Sequence, residues 1–132
     1  MHYFSKEYIN KFNEITEKNF RLKEENTAPN NWINSWRDFL YSEVYEGYTW
    51  ESAEFANEIS GRKNIELLVK DEALLKFEEH KIFVEKIYEL DEFFRKITID
   101  SPYYSLENWW DNKILKYSYE YYYCLQFQTP MF

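Results

Sequence analysis

The chain has little glycine, little proline, one cysteine and two histidines, and each scarcity closes off a class of protein. With Gly47 and Gly61 as the only glycines in 132 residues, no glycine-rich loop of the phosphate-binding or dinucleotide-binding kind can be built. His2 and His80 are too few for a histidine metal triad or a serine–histidine–aspartate array. His80 follows Glu78 and Glu79, whereas the Glu-x-x-His spacing of di-iron bundles would need an acid at Phe77. It therefore reads as a solvated helix histidine. The arginine that helical ribonucleases place shortly before a histidine is missing too, because Ala73, Leu74 and Leu75 stand there. Cys124 alone cannot form an internal disulfide, fits a reducing compartment, and reads as a small residue in a half-buried element. No run of about 18 uncharged apolar residues could span a bilayer, and the start MHYFSKEYINKF has no basic region followed by an apolar one. The expectation is a cytoplasmic protein without membrane contact.

What the sequence has in abundance is rings. Thirteen Tyr, 11 Phe and 5 Trp make up 22% of the chain, within an apolar share of 45%. That composition excludes a disordered or fibrous protein. The length fits one domain over residues 1–132, long enough to bury a core. It is also more aromatic area than an ordinary core of this size needs, and exposed aromatic surface points to a partner. The net charge of -8 argues against direct nucleic-acid binding, which needs a concentration of Lys and Arg, and favours basic partners.

Apolar periodicity predicts an all-α, mainly α bundle of about five helices. Phe4, Tyr8, Phe12, Ile15 and Leu22 share one face of a helix within residues 3–25. After the turn TAPN, Asn30 or Asn31 can cap a second helix carrying Trp32, Ile33, Trp36, Phe39 and Leu40. Thr49 can cap a third that runs to Ile59 and closes at Gly61. IELLV, within residues 64–70, fits either a helix or a buried strand. Asp71 opens the strongest element, whose stripe of Phe83, Ile87, Leu90, Phe94 and Ile97 runs until the DSP at residues 100–102. Ser105 caps the last helix, with Leu106, Trp109, Trp110, Ile114 and Tyr117 on one face. From Tyr117 to Phe127, however, rings and apolar residues alternate with period two, so a minor β element near the C-terminus is held in reserve, its only candidate partners being NIELLV and KITI.

One constellation stands out. Residues 38–61 hold Asp38, Glu43, Glu46, Glu51, Glu54 and Glu58 with no Lys, Arg or His, which leaves 18 acidic against 16 basic residues elsewhere. Most of the negative charge is therefore local. The same segment interleaves Tyr41, Tyr45, Tyr48 and Trp50, rings that give contact area at little entropic cost and keep a polar tip. Acids around aromatic anchors suit a basic groove, where complementary charge also speeds encounter. The plainer alternative is a solubilising face over core aromatics.

NNWINSWRDFL, GYTWESAEFANEISGR and LENWWDNKILKY, in that order, resemble the helical immunity proteins, of CdiI type, found in contact-dependent growth inhibition systems. The resemblance spans residues 3–125 and rests on spaced tryptophans and apolar patterning. It implies a bacterial, cytoplasmic, non-enzymatic inhibitor that covers the active site of a cognate toxin domain. That toxin is the C-terminal region of a CdiA effector, often a nuclease, and some helical members are similar to partners of tRNA-cleaving toxins of the EndoU type. Because contact positions in such proteins follow the particular toxin, the resemblance carries over no functional residue. The partner-binding candidates are the ten acids and rings of residues 38–58, and no catalytic, cofactor or metal residue is assigned. Other classes stay open. A phage-type acidic inhibitor of a nucleic-acid-binding host defence protein would show the same face, as would a helical interaction module without a toxin partner. An enzyme using carboxylates and a metal would need its acids to converge in a pocket.

Overall fold

Ser5 starts the first helix. Its side chain accepts a hydrogen bond from the Tyr8 amide at 3.3 Å, capping α1 (Lys6–Phe20). The helix ends where Arg21 turns into the left-handed region, φ 58°, and returns its N–H to the Glu17 carbonyl. In this computed structural model, which describes residues 4–21, 28–41, 61–100 and 108–115, the fold is mainly helical, with five α-helices and one small sheet among those residues.

The α1 stripe is buried as its spacing predicts, through Phe4, Tyr8, Phe12 and Ile15. Helix α2 (Pro29–Asp38) begins earlier than either asparagine would place it. Pro29 occupies the first helical position, where its missing N–H costs nothing, and Asn30 and Asn31 fall inside the first turn. One π-type turn then follows over residues 39–41, and this widened step buries Leu40 while leaving Phe39 half-buried. The ambiguous IELLV segment is helical, within α3 (Arg62–Val69), and Ile65, Leu68 and Val69 are its buried face.

Asp71 does cap a helix, but a short one. Its carboxylate accepts from the Ala73 and Leu74 amides at the start of α4 (Glu72–Leu75). The expected long helix is therefore broken by a turn over residues 76–79, and α5 (His80–Lys96) carries the strong stripe. Tertiary links hold this break: Glu79 receives both the backbone N–H and the hydroxyl of Ser5, and His80 is bonded to Tyr8 and Val69. On α5, Phe83, Ile87 and Phe94 are buried, whereas Leu90 is half-buried.

Helix α5 stops before the DSP, because Thr98 turns its hydroxyl back to the Phe94 carbonyl and the chain extends into β1 (Thr98–Asp100). The helix expected from Ser105 is also corrected. Trp109–Asn112 form a single 3-10 turn, followed by β2 (Lys113–Leu115). β2 pairs antiparallel with β1 in the register Thr98–Leu115, Ile99–Ile114 and Asp100–Lys113. Cross-strand pairing satisfies backbone groups that a helix would have satisfied internally, and Lys113 adds a 2.7 Å ion pair to Asp100. The minor β element thus exists and uses part of KITI, while the Tyr117–Phe127 alternation lies outside the described residues.

By contacts the chain groups into two units, one of Met1–Arg37 with Lys63–Leu90 and the other of Asp38–Arg62 with Asp91–Phe132. In the first, Tyr8, Phe12 and Phe83 form an aromatic core, with the Phe12 and Phe83 rings edge to face at 5.2 Å. In the second, Leu40, Phe94 and Trp110 are buried together with Arg62 and Asp91.

Candidate functional site

Of the ten sequence-derived candidates, two fall on described residues. Asp38 closes α2 and is exposed. Tyr41 sits in the π-type turn that follows, 45% exposed, with its ring stacked on Phe93 at 4.1 Å between centroids and 11° between planes. The stack gives the phenol a fixed orientation without burying it, so an approaching partner would find the side chain already ordered. Glu43, Tyr45, Glu46, Tyr48, Trp50, Glu51, Glu54 and Glu58 lie outside the described residues, as does the helix expected between Thr49 and Ile59.

Immediately after the acidic segment stands Arg62, the first basic residue beyond it and not among the sequence-derived candidates. Its guanidinium forms a two-pronged ion pair with Asp91, Nε to Oδ1 at 2.9 Å and Nη2 to Oδ2 at 2.6 Å. Both residues are 1% exposed. The Trp110 ring lies 4.8 Å from the guanidinium carbon, so the cation meets a carboxylate in its plane and a π face across it. Nearby in the same unit, Trp109 carries Arg95 over its ring at 3.9 Å, with Lys113 further off at 5.9 Å. Arg95 is also paired to Glu92. A charged pair 29 positions apart leaves no periodic trace, and the one available hint was an acid interrupting the apolar stripe of α5 between Leu90 and Phe94.

His80 is not a solvated histidine: it is 1% exposed. Val69 offers a carbonyl 3.0 Å from Nε2, which can only accept, so Nε2 carries the proton and Nδ1 receives the Tyr8 hydroxyl at 2.7 Å. Burial lowers the His80 pKa from its ordinary value, opposed by the Val69 carbonyl and the Asp71 charge. Burial and the neighbouring Glu79 charge raise the Tyr8 pKa, so the phenol keeps its proton. The Phe83 ring lies alongside the imidazole at 5.5 Å. The position of His80 at the start of a strong helix disguised this role, since the tyrosine that pairs with it is 72 residues away.

Among the described residues no three His, Cys, Asp or Glu side chains gather as metal ligands would, and no described helix is long and apolar enough to cross a membrane. No family model, no curated protein and no solved structure matches this chain.

Proposed function

We propose that this chain is a binding protein of the immunity type, which neutralises a basic toxin domain by laying the acidic, ring-bearing segment of residues 38–61 over the toxin's active-site cleft. The observation that carries the reading is the exposed, pre-ordered Tyr41 ring on Phe93, at the entry to a segment with six acids and no base. A ring already stacked loses little side-chain freedom on binding, and surrounding carboxylates steer a positively charged partner. A nuclease fits this chemistry best, because a cleft that holds RNA or DNA must be basic. The resemblance to CdiI-type immunity proteins supplies the biological setting, with the CdiA C-terminal toxin domain as the partner.

The test is binding kinetics against the purified toxin domain encoded by the adjacent upstream reading frame, on variants that circular dichroism shows to be folded. The combined change Glu46→Lys and Glu51→Lys is expected to slow association, most strongly at low salt, while Tyr41→Ala should hasten dissociation by roughly tenfold or more, the scale of an aromatic contact residue. Wild-type rates in both variants at every salt concentration would show that the segment is only a solvated face.

A further inference from the structure

The buried imidazole of His80 touches two elements through two different nitrogens, and the two links respond differently to a proton. Toward the end of α3, Nε2–H donates to the Val69 carbonyl, a bond that survives when the ring gains a second proton. Toward α1, Nδ1 accepts the Tyr8 hydroxyl, a bond that the second proton abolishes. Tyr8 is 0% exposed, and among the described residues its hydroxyl bonds to His80 alone. Its ring is enclosed by Phe4, Phe12, Phe77 and His80. If Nδ1–H turned towards the phenol oxygen, the Tyr8 proton would need another acceptor in an apolar surround.

The charged and titratable groups around the imidazole do not offset this. From α1 comes Tyr8, and from the end of α3 the carbonyls of Leu68 and Val69. From the cap of α4 comes Asp71, a carboxylate whose charge favours the imidazolium, and its Oδ1 is already bonded to the Ala73 and Leu74 amides. From α5 itself comes the apolar face of Phe83. Glu79, the preceding residue, spends its carboxylate on the Ser5 amide and hydroxyl at the start of α1.

We propose that Tyr8, His80 and the Val69 carbonyl form an acid-sensitive latch, closed while the imidazole is neutral, whose protonation releases α1 from its neighbours in the same unit while the His80–Val69 bond holds. The latch lies outside the acidic segment, so it stands or falls separately from the immunity reading.

The test is amide hydrogen exchange of residues 6–20, corrected for intrinsic rates, at pH 7.5 and pH 5.0, in a His2→Gln background so that His80 is the sole imidazole. If the released state titrates with the ordinary imidazole pKa near 6.5, the opening equilibrium of α1 should rise by up to about thirtyfold between these pH values, whereas an ordinary carboxylate near 4.3 would contribute less than about 1.5-fold. His80→Gln, whose amide can accept from Tyr8 and donate to Val69 without titrating, should flatten the response. Nitrogen NMR of the unsubstituted ring supplies a readout that needs no variant to fold, and should show the Nε2–H tautomer persisting well below pH 6.5. Equal protection at both pH values, a pH response that survives His80→Gln, or an ordinary titration of His80 near 6.5 would each overturn the proposal.

Discussion

Removing Asp91 is the most severe single perturbation that the fold suggests. The carboxylate is buried, and both its oxygens hold a guanidinium that is buried with it. Asp91→Ala would leave Arg62 charged, since guanidinium does not deprotonate at accessible pH, and would take away both hydrogen bonds that the carboxylate accepts from it beside the Trp110 ring. Breaking a buried pair from one side costs about 3 to 5 kcal/mol. With a urea slope of about 2 kcal/mol/M, that moves the unfolding midpoint down by roughly 2 M. Replacing both partners at once, Arg62→Met with Asp91→Leu, removes the buried cation together with its carboxylate and should recover most of the loss, because an apolar pair of similar volume is often as stable as the ions it replaces. The assay is urea unfolding followed by tryptophan fluorescence on the two single variants and the double. An Asp91→Ala midpoint within about 0.5 M of wild type, at unchanged slope, would show that the pair is reached by water and that the burial argument fails.

Other expectations follow from the same geometry. Phe83→Ala removes a ring with 0% exposure and should cost about 3 to 5 kcal/mol in chemical denaturation; Phe39→Ala, at a half-buried ring, should cost distinctly less. Ser5→Ala deletes the α1 cap and one of the Glu79 bonds, and should lower stability by about 1 to 2 kcal/mol in the same assay. Because the folded pKa of His80 lies below the ordinary value, the neutral ring contributes stability that is fully present above about pH 6.5 and is lost as pH falls towards the folded value. Between pH 7.5 and 5.0 that loss should reach up to about 2 kcal/mol, measurable as a drop in the urea midpoint that His80→Gln suppresses.

Elements with a periodic face could be read from the sequence, and those held by distant partners could not. The stripe from Phe4 through Ile15 and the buried Phe83, Ile87 and Phe94 of α5 follow the helical step, because each residue packs through the face that its neighbours also use. Asp71 announced a cap correctly, but the break that follows it depends on Ser5 reaching Glu79 and Tyr8 reaching His80, contacts separated by 74 and 72 positions. LENWWDNKIL has helical spacing, yet Thr98–Asp100 offers Lys113–Leu115 a strand to pair with, and that tertiary option prevails. The candidate site was legible as composition, in acids and rings without a base. At Asp38 and Tyr41 the structure adds the exposure and the Phe93 stack that composition cannot supply. The Arg62–Asp91 pair was invisible because charged residues on helices ordinarily face water, and only the folded chain brings these two together, with Arg62 against the Trp110 ring.

That buried pair also constrains how the sequence can drift. Lysine at position 62 keeps the charge but cannot reproduce the two-pronged grip on Asp91, and asparagine at position 91 keeps the shape but removes the negative charge that the guanidinium grips. Each single step therefore passes through a destabilised intermediate, whereas a joint replacement by apolar residues does not. Related chains should accordingly retain both residues or lose both together, and positions 62 and 91 should vary as a unit even where the helices around them diverge freely.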